Sequence, residues 1–132
     1  MKGVLVDTSV WVDHFKHGNE SLVGLLSADL ARIHPMVQGE LACGTPPAPR
    51  AQTLRDLGLL QQVQQASVRE VMDFIEREAL YGLGCGFVDL SLLASTLITP
   101  NTELWTLDKR LADLSKHFGV MHSPRKIKLR PS

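Results

Sequence analysis

Val4-Leu5-Val6-Asp7-Thr8-Ser9 is the stretch from which the fold can be read. Three β-favouring apolar residues follow Gly3, a run suited to a strand buried on both faces of a parallel sheet. The character then changes abruptly to an acid and two hydroxyls, and a helix-like pattern begins. In open α/β sheets, ligands sit beyond the carboxyl ends of the strands, and Asp7 stands at such an end. An acid directly after a strand is also a common N-cap for the next helix. The stretch alone supports both roles.

The 132 residues are enough for one domain with a proper core and too few for two ordinary ones. A hydrophobic fraction of 44% and a charged fraction of 21% are those of a globular chain, not a disordered one. Fourteen basic residues cancel fourteen acidic ones, so attraction to a polyanion would have to come from a local patch. Cys43 and Cys85 are too few for a disulfide scaffold and read as small buried hydrophobes. No apolar run approaches a membrane span, and Met1-Lys2 leads into the strand without a signal peptide, so a cytoplasmic protein is expected.

Outward from the anchor, Val10, Trp11 and Phe15 predict a short helix that Gly18-Asn19 breaks. A second short helix is expected over 20–27, a weak strand within 29–34, and a helix opened by Pro35 in its first turn. Met36, Val37, Leu41 and Ala42 give that helix an apolar stripe, with Glu40 set among them. The run from Cys43 to Pro49 ends it. Leu54, Leu57 and Leu60 mark a helix over 50–60, followed by a short strand in the glutamine-rich 61–65. Val68, Val71, Met72, Ile75 and Ala79 keep an amphipathic rhythm, and Ser67 with Glu70 forms a capping-box pattern before them. Gly82, Gly84 and Gly86 follow a helix rather than a strand. They therefore read as a tight approach into the next helix, not as a phosphate-cradling loop.

The helix expected over 87–98 is apolar nearly all round and is expected to be buried, with Asp89 near its start. Residues 103–106 read as a strand, Asp108 follows at once, and Leu107, Leu111, Leu114 and Phe118 form a helical stripe. Gly119-Val120-Met121 suggests a last edge strand. Residues 1–121 form a single domain in this reading. The tail 122–132 carries Arg125, Lys126, Lys128 and Arg130 without an acid, as either a solvated end or a phosphate-binding arm. Trp11 and Trp105 read as core or interface residues.

Each acid singled out has a structural role available: Asp7, Asp89 and Asp108 could cap helices, and Glu40 could be half-exposed. Capping does not explain their shared setting. Asp7 and Asp108 each follow a short strand, and parallel pairing of those strands would bring them together at one sheet edge. Several carboxylates cannot share a small site as anions without strong repulsion. Hard oxygen ligands of this kind suit Mg²⁺ or Mn²⁺. Zinc is disfavoured because His14, His17, His34, His117 and His122 show no zinc-type spacing and the cysteines stand far apart. No nucleophile elbow of the G-x-S-x-G type occurs.

With the four acids assembled, the chain resembles the PIN domains, and among them the VapC-like ribonuclease toxins. The matching pieces are Val4 to Trp11, Gly39-Glu40-Leu41, Phe87-Val88-Asp89-Leu90 with Leu93-Ala94-Ser95, and Leu104-Trp105-Thr106-Leu107-Asp108. Their order and spacing cover almost the whole chain. The resemblance implies an α/β fold, a three-layer α/β/α sandwich on a short parallel sheet. It implies metal-dependent endonucleolytic cleavage of RNA, with Asp7, Glu40, Asp89 and Asp108 holding Mg²⁺ or Mn²⁺. Thr8, Ser9 and Thr106 match hydroxyl positions that line the site or orient its carboxylates. A small VapB-like antitoxin protein and a homodimer are the implied partners.

Where many relatives carry a further acid or amide shortly after the last aspartate, this chain has Arg110 and Leu111, which weakens the case for a second metal. An acidic site repels RNA until a cation binds. Docking therefore falls to basic residues, of which Lys109, Arg110, Lys116 and the tail are nearest in sequence. The alternatives are an aspartyl-phosphate phosphatase, which would want a second acid where Ser9 stands, and a catalytically idle PIN-like module that binds RNA or protein.

Overall fold

In a computed structural model, which describes residues 1–124, the anchoring stretch is a strand, β1 (Gly3–Val6), with all four residues buried. It lies inside a parallel sheet between β2 (Ala31–Ile33) and β4 (Thr102–Trp105). The outer neighbour of β2 is β3 (Gln61–Gln62), so the strand order is β3-β2-β1-β4.

The helices α1 (Thr8–His17) and α2 (Glu20–Ser27) connect β1 to β2, and α3 (Pro35–Cys43) and α4 (Arg50–Gly58) connect β2 to β3. The chain then returns through α5 (Val68–Glu78) and α6 (Phe87–Ile98) to β4, and α7 (Lys109–His117) follows. Parallel crossovers are right-handed, so stepping outward from β1 places α1 to α4 on one face of the sheet. The reversed step to β4 places α5 and α6 on the other. Packing agrees: α1 meets α3 and α3 meets α4, while α6 meets α5, β4 and α7. This is the expected α/β/α sandwich of PIN-like type. The reversal of strand order falls between β1 and β4, which makes the crevice beyond their carboxyl ends the natural place for a site.

Local chemistry sets most of the helix starts. Asn19 accepts the Leu22 N–H at 3.0 Å, and Pro35 opens α3 behind His34, whose Nδ1 accepts the Met36 N–H at 3.0 Å. The capping box of α5 is complete, with the Glu70 N–H donating to Ser67 Oγ at 3.1 Å and the Ser67 N–H to Glu70 Oε1 at 2.9 Å. Leu5, Leu22, Ile33, Leu92, Leu93, Leu104 and Leu111 are fully buried, each contributing roughly 1.5–3 kcal/mol of apolar transfer. Trp11 and Trp105 are core residues.

Several sequence expectations need correction. Only the middle of α6, Leu90 to Thr96, is buried, while Phe87, Leu97 and Ile98 are 39%, 37% and 41% exposed. A twelve-residue helix is about 18 Å long and overhangs a four-residue strand of about 13 Å. Leu107 does not join the α7 stripe, because the helix starts beyond Asp108 and leaves Leu107 in the connecting loop, 54% exposed. The last edge strand shrinks to one parallel bridge between Leu104 and Met121. The cysteines are not core residues: Cys43 is exposed at the end of α3, and Cys85 is half-buried in the loop before α6. The basic cluster Arg125, Lys126, Lys128 and Arg130 lies outside the described residues, whereas His122 packs on the Trp105 ring at 5.5 Å.

Candidate active site

Asp7 leaves β1 at the reversal of strand order and is 6% exposed. Its own N–H donates to the Trp105 carbonyl at 2.9 Å, continuing the β1–β4 pairing by one residue. Its Oδ2 caps α1 by accepting the Ser9 N–H at 3.4 Å, and it also accepts Ser9 Oγ at 2.6 Å and Thr106 Oγ1 at 2.8 Å. Both hydroxyls are themselves oriented. Ser9 Oγ accepts the Leu107 N–H at 3.0 Å and Thr106 Oγ1 accepts the Asp108 N–H at 3.0 Å, so each hydroxyl proton is left to point at the carboxylate. A carboxylate this buried must be met by donors or lose its charge, and these two hydroxyls meet it.

The other acids surround this knot. Asp108 is exposed and caps α7, with Oδ1 accepting the Leu111 N–H at 2.9 Å. Glu40 does not lie within the apolar face of α3, as the sequence suggested. It is exposed while Val37 and Leu41 are buried, and its Oε1 accepts Thr8 Oγ1 at 2.7 Å across the α1–α3 contact. Asp89, in the first turn of α6, is half-buried, and its Oδ2 accepts the Gly86 N–H at 3.4 Å.

Burial pushes the Asp89 carboxyl above the ordinary aspartate range against the opposing Gly86 hydrogen bond, and the charges of Asp7, Asp108 and Glu40 push it further. The other three acids named from sequence therefore all reach Asp89 electrostatically. The Cys85 thiol shares this environment: burial raises it, Asp89 and Asp108 raise it further, and Arg110 opposes them. Asp7, Asp89 and Asp108 all sit at helix N-termini, whose positive dipole ends offset part of the accumulated negative charge.

As these side chains stand, no three His, Cys, Asp or Glu among the described residues are gathered closely enough to hold a metal ion. The donor set nevertheless suits a hard cation. Each carboxylate commits one oxygen to the bonds above. Among the described residues, no protein donor meets Asp7 Oδ1, Glu40 Oε2, Asp89 Oδ1 or Asp108 Oδ2. Free carboxylate oxygens are hard donors of the kind that suit Mg²⁺ or Mn²⁺ rather than a softer metal.

No family model matches the chain. Ribonuclease VapC32 of Mycobacterium tuberculosis is 40% identical to it over 117 residues, which are 89% of this chain and 94% of that protein. The same figures hold for the protein of that name in strain H37Rv. The chain belongs to the VapC ribonuclease family. The match runs over nearly the full length of both chains and is not confined to one motif.

Within this VapC-family chain, sequence reasoning missed one contact. The glycine-rich loop suggests a close approach into α6, whereas the close approach at Gly84 is made by Arg110 of α7. Arg110 lies against Gly84, its Nη1 donating to the Gly84 carbonyl at 3.4 Å. Gly84 has φ +88°, and a Cβ there would fall 2.6 Å from Arg110 Nη1. The only sequence signal was the alternation of glycines at 82, 84 and 86, which does not say what fills the space.

Proposed function

We propose that the chain is a metal-dependent endoribonuclease that hydrolyses RNA phosphodiester bonds and acts as the toxin of a toxin–antitoxin pair. Asp7, Glu40, Asp89 and Asp108 would hold Mg²⁺ or Mn²⁺, with Thr8, Ser9 and Thr106 fixing the carboxylates. The observation that carries this reading is the pinning of each carboxylate by one oxygen, the other left free, around the reversal of strand order. When bound, the cation supplies positive charge for a phosphodiester and a water of lowered pKa.

The chain's own residues perform the rest. Ser9 and Thr106 hold Asp7 in one orientation, so that no reorganisation is needed as substrate arrives. Thr8 does the same for Glu40. Asp89, whose carboxyl burial and its acidic neighbours raise above the ordinary aspartate range, is in its ionised form a stronger base than an ordinary carboxylate and is the one suited to take a proton from an attacking water. A small VapB-like antitoxin, a homodimeric assembly and a cytoplasmic setting belong to the same proposal. The family supports them; no described helix is long and apolar enough to cross a membrane.

The test is incubation of total cellular RNA with purified protein in Mg²⁺, Mn²⁺ or EDTA, wild type beside Asp7→Asn. Discrete fragments that need metal and disappear in the variant are expected. Equal cleavage by Asp7→Asn, or cleavage that persists in EDTA, would refute the assignment. A module that binds RNA without cutting would show no fragments and no rise in melting temperature with Mn²⁺.

A further inference from the structure

An acidic crevice needs something to receive a polyanion, and the basic residues near it are not equivalent. Lys109 is engaged, its Nζ 3.6 Å from Asp113 Oδ2 one turn along α7. Lys116 is eight residues beyond Asp108, about 12 Å down the helix axis. Arg110 is the exception. It is exposed, and among the described residues no carboxylate lies within ion-pair distance of it. Among the described residues its one hydrogen bond is the long one to the Gly84 carbonyl, which leaves most of its N–H donors without a partner there. It is also held in place: the guanidinium and its Cδ lie 2.6–3.0 Å from where a Gly84 Cβ would be, space that exists only because residue 84 is glycine. It stands two residues beyond Asp108, and the Gly84 it lies against is two residues before Gly86, whose N–H donates to Asp89, so the guanidinium sits beside two of the four acids without an ion pair to either.

We propose that Arg110, braced across Gly84, is a positioning residue that takes a phosphate oxygen of the RNA strand beside the scissile bond. A guanidinium is suited to this because its planar fork matches two phosphate oxygens and keeps its charge at every working pH. The brace limits the conformations lost when RNA binds. The inference rests on the ribonuclease reading, and its test separates the two.

Binding is measured by fluorescence anisotropy with a labelled random-sequence single-stranded oligoribonucleotide in Mg²⁺. Asp89→Asn is the non-cleaving background, with Arg110 or with Arg110→Gln. Loss of one phosphate contact should weaken binding about tenfold at low salt and reduce the salt slope by about 0.7. In the cleavage-competent protein, Arg110→Gln should raise KM with little change in kcat, and Arg110→Lys should restore the salt slope but only part of the affinity. The melting temperature should not change, since the side chain is exposed. Gly84→Ala should weaken binding in the same direction; should it fail to fold at its positive φ, Arg110→Gln carries the test. Identical affinity and salt slope with and without Arg110, in a protein that binds and cuts RNA, would overturn this inference alone. Absence of RNA binding by the Arg110-bearing protein would overturn it together with the ribonuclease reading.

Discussion

Replacing Thr106 by valine keeps the shape of a buried side chain and deletes one oxygen. That oxygen donates to Asp7 Oδ2 at 2.8 Å and accepts the Asp108 N–H at 3.0 Å. Asp108 is exposed, so water can replace the second bond, and the cost falls on the first. Hydrogen bonds to charged groups contribute about 1.5–3 kcal/mol, and with Asp7 only 6% exposed a loss of about 2 kcal/mol is expected. With an unfolding entropy near 2.1 cal/mol/K per residue, this corresponds to a melting temperature lower by about 7 °C for a chain of 132 residues. The assay is urea unfolding followed by circular dichroism, with Ser9→Ala and the double variant alongside. Both hydroxyls donate to the same oxygen, so the two losses should couple by about 0.5–3 kcal/mol. A loss for Thr106→Val below about 0.5 kcal/mol, the size expected of an ordinary surface change, would refute the account of Asp7 as a carboxylate held by two oriented hydroxyls.

Asp89→Asn should abolish RNA cleavage and yet raise stability at neutral pH, by about 0.5–1 kcal/mol in urea unfolding, because a half-buried charge facing three other acids is removed. The sign follows from linkage. A carboxyl raised in the folded state favours folding at low pH, and that contribution is lost as pH climbs from its ordinary value of 3.8 through the raised one. The Asn variant should therefore show a flatter stability profile over that window, and an unchanged slope would count against the shift. His34 titrates in the opposite sense. It caps α3 through an unprotonated Nδ1, and burial lowers its pKa from 6.5. Its contribution is present above the ordinary imidazole value and is lost as pH falls through the lowered one. His34→Asn, which retains a capping acceptor, should remove that acid-side loss in thermal melts recorded between pH 7 and 4. A variant whose melting falls as steeply as wild type would show that His34 is not the titrating cap.

How much could be read without coordinates depends on how far each cause acts along the chain. The apolar run of β1, proline at the first turn of α3 and the Ser67–Glu70 capping box act through backbone torsions and hydrogen bonds spanning a few residues, and these elements appear where the sequence put them. The order of the four acidic segments identified the family, because their spacing is carried by the chain itself. Exposure is different, since it depends on what a distant segment does. Glu40 looked like part of an apolar face, but its neighbours on the helix turn inward and Thr8 of α1 meets it from outside. The cysteines looked like core residues, but both lie where an element ends and nothing packs over them fully.

The oriented hydroxyls on Asp7 join residues 99 apart in sequence, and the brace of Arg110 on Gly84 joins residues 26 apart. No local preference encodes either contact. Sequence by itself determined the elements, their order and which acids could take part. Only the tertiary structure decided that the strand order reverses between β1 and β4, and that reversal brings the ends of those strands, with their acids and hydroxyls, into one crevice.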